Sequence, residues 1–329
     1  MRRRTFIAAL GGACVAWPLA APAQQTGGVR RIAVLMATHD VDPEERNRVA
    51  ALRYTLQDLG WTEGRNARFD VRWTADDNDL VRDYAAELVA LAPDVIFAGN
   101  TRMVDALQRV TRTIPIVFVQ IPESTVARVV GNLTRPTGNV TGFTNFESSV
   151  AGKWVELLKE AAPQVSRLAV LLDAANPTSP GYLRAVEAGA LPLGLPLAAI
   201  SVRDASDIER MIGEFAREPN GGLVVAPSSL STTHRPHIVA LARQHRLLAI
   251  YPYRDFVAAG GLLSYGIDRV ELYRQAAIYA DRILRGAKPA DLPVQHPTKF
   301  ELVVNLKTAK EIGLNVPPLL LTRADDVIE

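Results

Sequence analysis

The stretch that decides the fold is Arg31-Ile-Ala-Val-Leu-Met36, together with the segment from Glu45 to Gly60 that follows it. The first six residues form a short apolar run with β-branched side chains, which is typical of a buried parallel strand. The second segment predicts a helix that stops at a glycine, because its apolar residues recur at helical spacing. Those residues are Val49, Leu52, Leu56 and Leu59. Together the two segments predict one strand-helix unit.

The same strand-helix order repeats outward from this unit to the end of the chain. Four more apolar strands are predicted at 69–73, 94–98, 114–119 and 140–143, and a second series follows. The strands of that series are predicted at 168–172, 198–202, 223–226, 248–251, 262–265 and 301–305. Regular alternation of apolar strands and helices predicts parallel sheets covered by helices. More than ten strands exceed one small domain, so we predict an α/β fold with two doubly wound parallel-sheet lobes of about five strands each.

Residues 1–23 have the three parts of a secretory signal peptide: a basic start, a short apolar run and the small-residue end Ala21-Pro22-Ala23. Cleavage is therefore expected after Ala23, with export to the periplasm. Arg3 and Arg4 fit a twin-arginine signal, and the general secretory route fits the same residues. Cys14 leaves open a lipidated alternative, although Gly11 stands where lipoproteins usually carry a bulky residue. No later stretch is long and apolar enough to predict a membrane span.

Charge and cysteine content exclude several classes of function for the mature chain. The formal net charge is +2, and it becomes −1 once the three arginines at positions 2–4 are removed with the signal peptide. A chain this close to neutrality has no overall positive electrostatic field that would attract nucleic acid, so no nucleic-acid partner is expected. Because Cys14 is the one cysteine and lies within the signal peptide, disulfides, cysteine metal sites and a cysteine nucleophile are excluded.

Motifs that would indicate an enzyme are not found in the sequence. Gly152-Lys153 is followed by Trp154 rather than the Ser or Thr of a phosphate-binding loop, and no glycine-rich fingerprint follows the first strand. His234 and His237 could share a helix face, but no third metal ligand stands beside them. We therefore expect no catalytic residue, no cofactor and no metal, and we expect that the protein is not an enzyme.

Polar side chains follow the predicted strands of both series, at the end of a parallel sheet where ligands bind. In the first series these candidate ligand-binding residues are Thr38, Asn100, Thr101, Gln120 and Glu123. In the second series they are Asn176, Ser228, Tyr251, Tyr253, Gly266 and Asp268. Hydroxyl, amide, carboxylate and aromatic groups suit a small polar ligand with an apolar part. Asn, Ser and Asp after strands are also common helix caps, and this alternative stays open for each of them.

Three motifs resemble the bacterial ABC transporter substrate-binding protein family that includes tryptophan-type binding proteins. The first centres on Arg135-Pro-Thr-Gly-Asn-Val-Thr-Gly142, the second spans 251–266, and the third comprises 273–277, 283–293 and 297–309. The resemblance runs in order from about residue 30 to the C-terminus. The chain departs from the family at Gln120-Ile-Pro-Glu123, where many relatives carry an Asp-Pro-Val-like turn. The ligand of better-known relatives therefore does not transfer directly.

The resemblance implies a periplasmic binding protein type I-like fold, with two lobes joined by three crossings near Phe143, Gly266 and Pro293. One lobe would comprise 29–143 plus 266–293, and the other 144–265 plus 294–329. It implies the periplasmic solute-binding component of an ABC importer, which closes by a hinge on a small polar or amino-acid-like molecule and presents it to the permease. The alternatives are an exported α/β enzyme such as a hydrolase and a repressor's effector domain. The signal peptide argues against the repressor.

Overall fold

The structure is a computed structural model that describes residues 28–75, 77–145 and 148–329. The predicted signal peptide and Cys14 lie outside the described residues. The first sheet contains β1 (Arg30–Met36), β2 (Ala67–Trp73), β3 (Val95–Ala98), β4 (Ile116–Ile121) and β5 (Val140–Thr144). These strands are all parallel and lie in the order β2-β1-β3-β4-β5. The helices between them are α1 (Pro43–Asp58), α2 (Asn78–Ala90), α3 (Thr101–Val110) and α4 (Glu123–Val130).

The second sheet has seven strands in the order β12-β11-β10-β9-β8-β6-β7. They are β6 (Arg167–Asp173), β7 (Leu197–Val202), β8 (Gly221–Val225), β9 (Leu248–Tyr251), β10 (Leu263–Ile267), β11 (Phe300–Asn305) and β12 (Asp326–Ile328). The helices that accompany them are α5 (Val150–Ala161), α6 (Ser179–Ala190), α7 (Ala205–Phe215), α8 (Ser229–Thr233), α9 (Arg235–Gln244), α10 (Arg254–Ala258), α11 (Arg269–Leu284), α12 (Leu306–Ile312) and α13 (Pro318–Arg323). β10 and β11 are antiparallel, and the other pairs are parallel.

The first sheet is buried on both faces, which explains why its strands are apolar without interruption. Along β1, Ile32, Val34 and Met36 point into one core, while Ala33 and Leu35 point into another. Helices α2, α3 and α4 cover the second of these cores. Helices α1 and α11 cover the first and pack against each other, so α11 belongs with the first sheet although it follows a strand of the second.

The chain passes between the two sheets at three places. These are the segment after β5, the turn between β10 and α11, and residues 296–299 before β11. The residue just before the third segment is held to the first sheet, because Gln295 donates from its N–H to the carbonyl of Gly142 at 3.0 Å. Thr144 donates in turn from its N–H to the carbonyl of Gln295 at 2.9 Å. The chain just before the third segment is therefore hydrogen-bonded to β5, the strand after which the first segment begins.

The structure confirms the predicted α/β fold with two lobes built on parallel sheets. All eleven predicted strands are present, and the second sheet has seven strands rather than about five because all six strands of the second series join it and β12 adds a seventh at its edge. That strand is three residues long and α8 and α10 are five residues each, so none of them shows a periodic pattern in the sequence. Within the described residues, no helix combines the length and the apolar character that a membrane crossing requires.

Candidate functional site

A cavity of about 590 Å³ lies between the two sheets. From the first sheet it is lined by residues at or just beyond the ends of β1, β3, β4 and β5. From the other side it is lined by residues that follow β6, β8, β9 and β10. The cavity is therefore formed by the carboxyl ends of strands from both lobes, which is where parallel α/β sheets bind ligands.

Seven of the eleven residues expected from the sequence to bind a ligand line this cavity. They are Thr38, Asn100, Thr101, Gln120, Asn176, Ser228 and Tyr253. Glu123 lies in an adjoining groove that shares Pro122 and Tyr182 with the cavity, and its carboxylate is 3.8 Å from the ring of His296.

The other three expected residues lie in the core, in the second sheet and at the start of a helix, and they do not line the cavity. Tyr251 is 1% exposed, and its ring stacks on Phe256 with centroids 5.1 Å apart. Gly266 is paired with Glu301 inside the second sheet. Asp268 caps α11 by accepting from the N–H of Glu271, which places its carboxylate at the helix end.

Helix capping and cavity lining occur together in the same side chains. Asn100 accepts at Oδ1 from the N–H of Met103 at 3.1 Å and so starts α3. Ser228 accepts at Oγ from the N–H of Ser231 at 2.9 Å and so starts α8. Asn176 donates from Nδ2 to the carbonyl of Pro227 at 3.2 Å, which joins two of the loops at the cavity. The caps fix these side chains at its wall.

Two lining residues carry features that ordinary packing does not explain. Thr38 is 7% exposed, and among the described residues its Oγ1 has no hydrogen-bond partner, which is costly for a buried hydroxyl. Gln120 has a φ of 66°, in the left-handed region that side chains other than glycine disfavour by about 1–2 kcal/mol. The strand register shifts between Val119 and Ile121, so Gln120 occupies a bulge at the end of β4. Strain of this kind concentrates at binding sites.

Three tyrosines of the lining supply protonated phenols. Burial raises the pKa of Tyr182, Tyr253 and Tyr273 above the ordinary value, so each hydroxyl keeps its proton at neutral pH. Tyr253 accepts at its hydroxyl from Nδ2 of Asn145, the residue that follows β5, at 3.1 Å. Sequence reasoning missed Asn145, Tyr182 and Tyr273, because Asn145 stands in the first crossing and the two tyrosines are core-facing positions of predicted helices.

The buried carboxylate of Asp255, on α10, lies next to the cavity and is contacted by three arginines. Arg48 and Arg235 reach its Oδ2 at 3.2 and 3.1 Å, and Arg269 reaches the same oxygen. Burial by itself would raise the pKa of Asp255, but the charges of Arg269, Arg48 and Arg235 hold it below the usual value. Asp255 is therefore ionised at neutral pH.

This charged group connects the two lobes. Arg48 lies on α1 of the first lobe and also pairs with Glu45, while Arg235 begins α9 of the second lobe. Arg235 also reaches the carboxylate of Asp42, just before α1, at 3.1 Å. No local sequence pattern indicates this cluster, because Arg48 and Asp255 are 207 positions apart.

The arrangement is suited to binding a polar molecule through hydrogen bonds. Its lining combines hydroxyls, amides, phenols and one buried guanidinium, which can donate to and accept from several polar groups at once. No histidine lines the cavity, and the described residues hold no cluster of three or more groups able to ligate a metal.

The fold and the cavity define the architecture of a solute-binding protein, with two α/β lobes around a central cleft. The family of ABC transporter substrate binding proteins matches residues 32–328 of the chain. The chain belongs to this family. The resemblance found in the sequence motifs is thereby confirmed.

Individual relatives agree with this assignment. The chain is 24% identical over 259 residues to a tyrosine-binding protein of Clostridioides difficile strain R20291, covering 79% of this chain and 74% of that protein. A conserved domain protein of Vibrio cholerae has a similar structure, with 25% identity, a TM-score of 0.82 and coverage of 91% and 99% of the two chains. An ABC domain from Streptococcus pneumoniae in complex with L-Trp has 24% identity, with the same TM-score and coverage.

Proposed function

We propose that this protein is the periplasmic solute receptor of an ABC importer and holds a small, polar, amino-acid-like ligand between its lobes. The cavity of about 590 Å³, lined by side chains from both sheets, carries the proposal. Small-molecule sites typically measure about 300–1,000 Å³. The relatives named for tyrosine binding and solved with L-Trp support aromatic amino acids as the first ligands to test. The protein would transfer the ligand, chemically unchanged, to a membrane permease.

The proposed contacts are the seven sequence-derived residues around the cavity, namely Thr38, Asn100, Thr101, Gln120, Asn176, Ser228 and Tyr253. Asn100 and Ser228 would act while capping their helices, so their position relative to the ligand is fixed before binding. Glu123 would contribute from the rim of the cleft. Tyr251, Gly266 and Asp268 would support the site through the sheet and the start of α11.

Binding would be coupled to hinge closure between the lobes 29–143 plus 266–293 and 144–265 plus 294–329. The links near Phe143, Gly266 and Pro293 would absorb the change, because hinges lie at the ends of secondary-structure elements. Closure requires that the ligand bind the closed form more tightly than the open form. Small-angle scattering of the mature chain with and without ligand tests this, and an unchanged radius of gyration at saturation would refute it.

Export would precede binding, with cleavage after Ala23 through either the twin-arginine or the general secretory route. Mass spectrometry of the N-terminal peptide from periplasmic protein tests this point. A peptide that begins at Gln24 supports it, whereas one that begins near Met1 or at a lipidated Cys14 contradicts it.

The function is tested by identifying the solute that the protein carries and by asking whether the protein converts that solute chemically. We would extract and identify the solute that co-purifies with the mature protein, and titrate L-tryptophan and L-tyrosine by calorimetry. Thr101→Ala, at the cavity, should weaken binding about 5- to 150-fold if Thr101 bonds the ligand. Thr322→Ala, at an exposed position of α13, serves as the matched control and should leave affinity unchanged. Recovery of a solute chemically converted by pure protein would favour the exported hydrolase instead.

A further inference from the structure

One charged side chain of the cavity is placed differently from the others. Arg269 is the first residue of α11, is 8% exposed and lines the cavity. Its guanidinium lies 4.0 Å from the centroid of the Tyr253 ring and donates from Nη2 to Asp255. The aromatic ring and the carboxylate therefore fix the plane of a guanidinium that borders the ligand space.

The three arginines that meet at Asp255 differ in their remaining partners. Arg48 has Glu45 as a second carboxylate, and Arg235 has Asp42. Throughout residues 28–75, 77–145 and 148–329, Arg269 has no acidic partner besides Asp255, which it shares with the other two. A guanidinium carries five N–H donors, and Arg269 uses one of them on Asp255.

We propose that Arg269 binds a carboxylate group of the ligand and thereby restricts the protein to solutes that carry one. This inference rests on the proposed receptor function and adds the chemical class of its ligand. A planar carboxylate matches the fork of N–H donors on a guanidinium that lines the cavity. Thr38, whose buried Oγ1 is without a partner in the described chain, offers another hydrogen bond in the same cavity.

A monocarboxylate fits the charge of this region better than a more highly charged anion. The cluster around Asp255 contains three guanidiniums and three carboxylates and is neutral overall, so each negative charge on a ligand stays unbalanced there and a single one costs less than two. Glu45, which also lines the cavity, would accommodate a positive group on the same molecule. The geometry points to a zwitterion or a simple monocarboxylate rather than a phosphate ester.

The first experiment compares each amino acid with its amide. We would titrate L-tryptophan, L-tyrosine and the two corresponding amides into the wild type, Arg269→Gln and Arg269→Lys. The wild type should prefer the acids about 10- to 100-fold, because hydrogen bonds to charged groups are stronger than neutral ones. Arg269→Gln should abolish the preference, and Arg269→Lys should retain part of it, since an ammonium keeps the charge without the fork.

A matched control separates ligand binding from support of Asp255. Arg235→Gln also removes one guanidinium from Asp255, but Arg235 does not line the cavity. It should destabilise the protein while preserving the ratio of acid to amide affinity. If Arg269→Gln keeps that ratio as well, or if the wild type binds acid and amide equally, Arg269 does not bind the carboxylate and the receptor proposal stands without it.

The second experiment does not depend on which solute the protein carries. Sodium acetate, the smallest convenient carboxylate, should raise the melting temperature of the wild type and of Arg235→Gln above that in equal sodium chloride. Arg269→Gln should show no such difference. If neither amino acid binds the wild type, the amino-acid ligand is wrong and the acetate result alone decides the role of Arg269. Equal melting temperatures of the wild type in acetate and in chloride would then overturn the proposed role of Arg269.

Discussion

The substitution Asp255→Asn should be among the most destabilising single changes in this protein. Asp255 is 3% exposed and is approached by Arg48, Arg235 and Arg269. The amide keeps the size of the side chain but removes its charge, so three buried guanidiniums would be left with the carboxylates of Asp42 and Glu45. The loss includes the pairing energy and the cost of incompletely compensated buried positive charge.

The expected magnitude follows from the burial of the group. Removing one partner of a buried ion pair typically costs about 3–5 kcal/mol, against about 0–1 kcal/mol for an exposed pair. At about 2–4 °C per kcal/mol for a domain of this size, the melting temperature should fall by about 6 to 20 °C. Asp326→Asn is the matched control, because Asp326 pairs with Arg254 at 2.7 Å while both side chains are 45% exposed. That control should shift melting by a few degrees at most.

The assay is thermal unfolding followed by circular dichroism across a range of pH. Because the three arginines hold the pKa of Asp255 below its ordinary 3.8, its contribution to stability is present above that value and is lost as the pH falls through the lower folded value. The wild type and Asp255→Asn should therefore differ by a constant amount at neutral pH and converge below pH 3.8. A shift at neutral pH no larger than that of Asp326→Asn would refute the reasoning.

Three further changes test the site and the fold. Thr38→Val should leave the melting temperature unchanged or raise it, because it removes a buried hydroxyl without a partner, while calorimetry should show about 5- to 150-fold weaker binding of the co-purified solute. Gln120→Gly should stabilise the chain by up to about 1 kcal/mol in urea unfolding by relieving the positive φ, and should also weaken that binding. Gly142→Ala should cost about 3 kcal/mol or more in the same assay, because its Cβ would stand 2.1 Å from the carbonyl oxygen of Phe118. Near wild-type affinity of Thr38→Val or Gln120→Gly, or near wild-type stability of Gly142→Ala, would contradict the corresponding reasoning.

Local sequence pattern was sufficient for most of the fold, because both faces of each central strand are buried. The continuous apolar run of β1 and the helical spacing in α1 required no knowledge of the rest of the chain. The antiparallel return of β11 could not be predicted in this way. A strand has the same apolar pattern whichever way it runs in a sheet. The direction of β11 is set by residues 285–299, which return the chain from the first lobe to the second.

The candidate site was most predictable where a residue stands two or three positions after the end of a strand. Thr38, Asn100 and Ser228 meet that condition, and the structure places all three around the cavity. Tyr251 and Gly266 were expected around the cavity as well, but they lie within β9 and β10 and do not line it. Whether the residues around the cavity bind a ligand stays a prediction.

The part of the site that sequence reasoning could not reach is also the part that connects the lobes. Asp255 lies on a five-residue helix, and its partners come from α1, α9 and α11, so no local pattern relates them. The same carboxylate positions Arg269 at the cavity and joins Arg48 of one lobe to Arg235 of the other. A ligand that binds Arg269 therefore contacts the charged cluster around Asp255, which also connects the two lobes. Binding and closure would then share one set of charges, and a substitution at Asp255 should alter both.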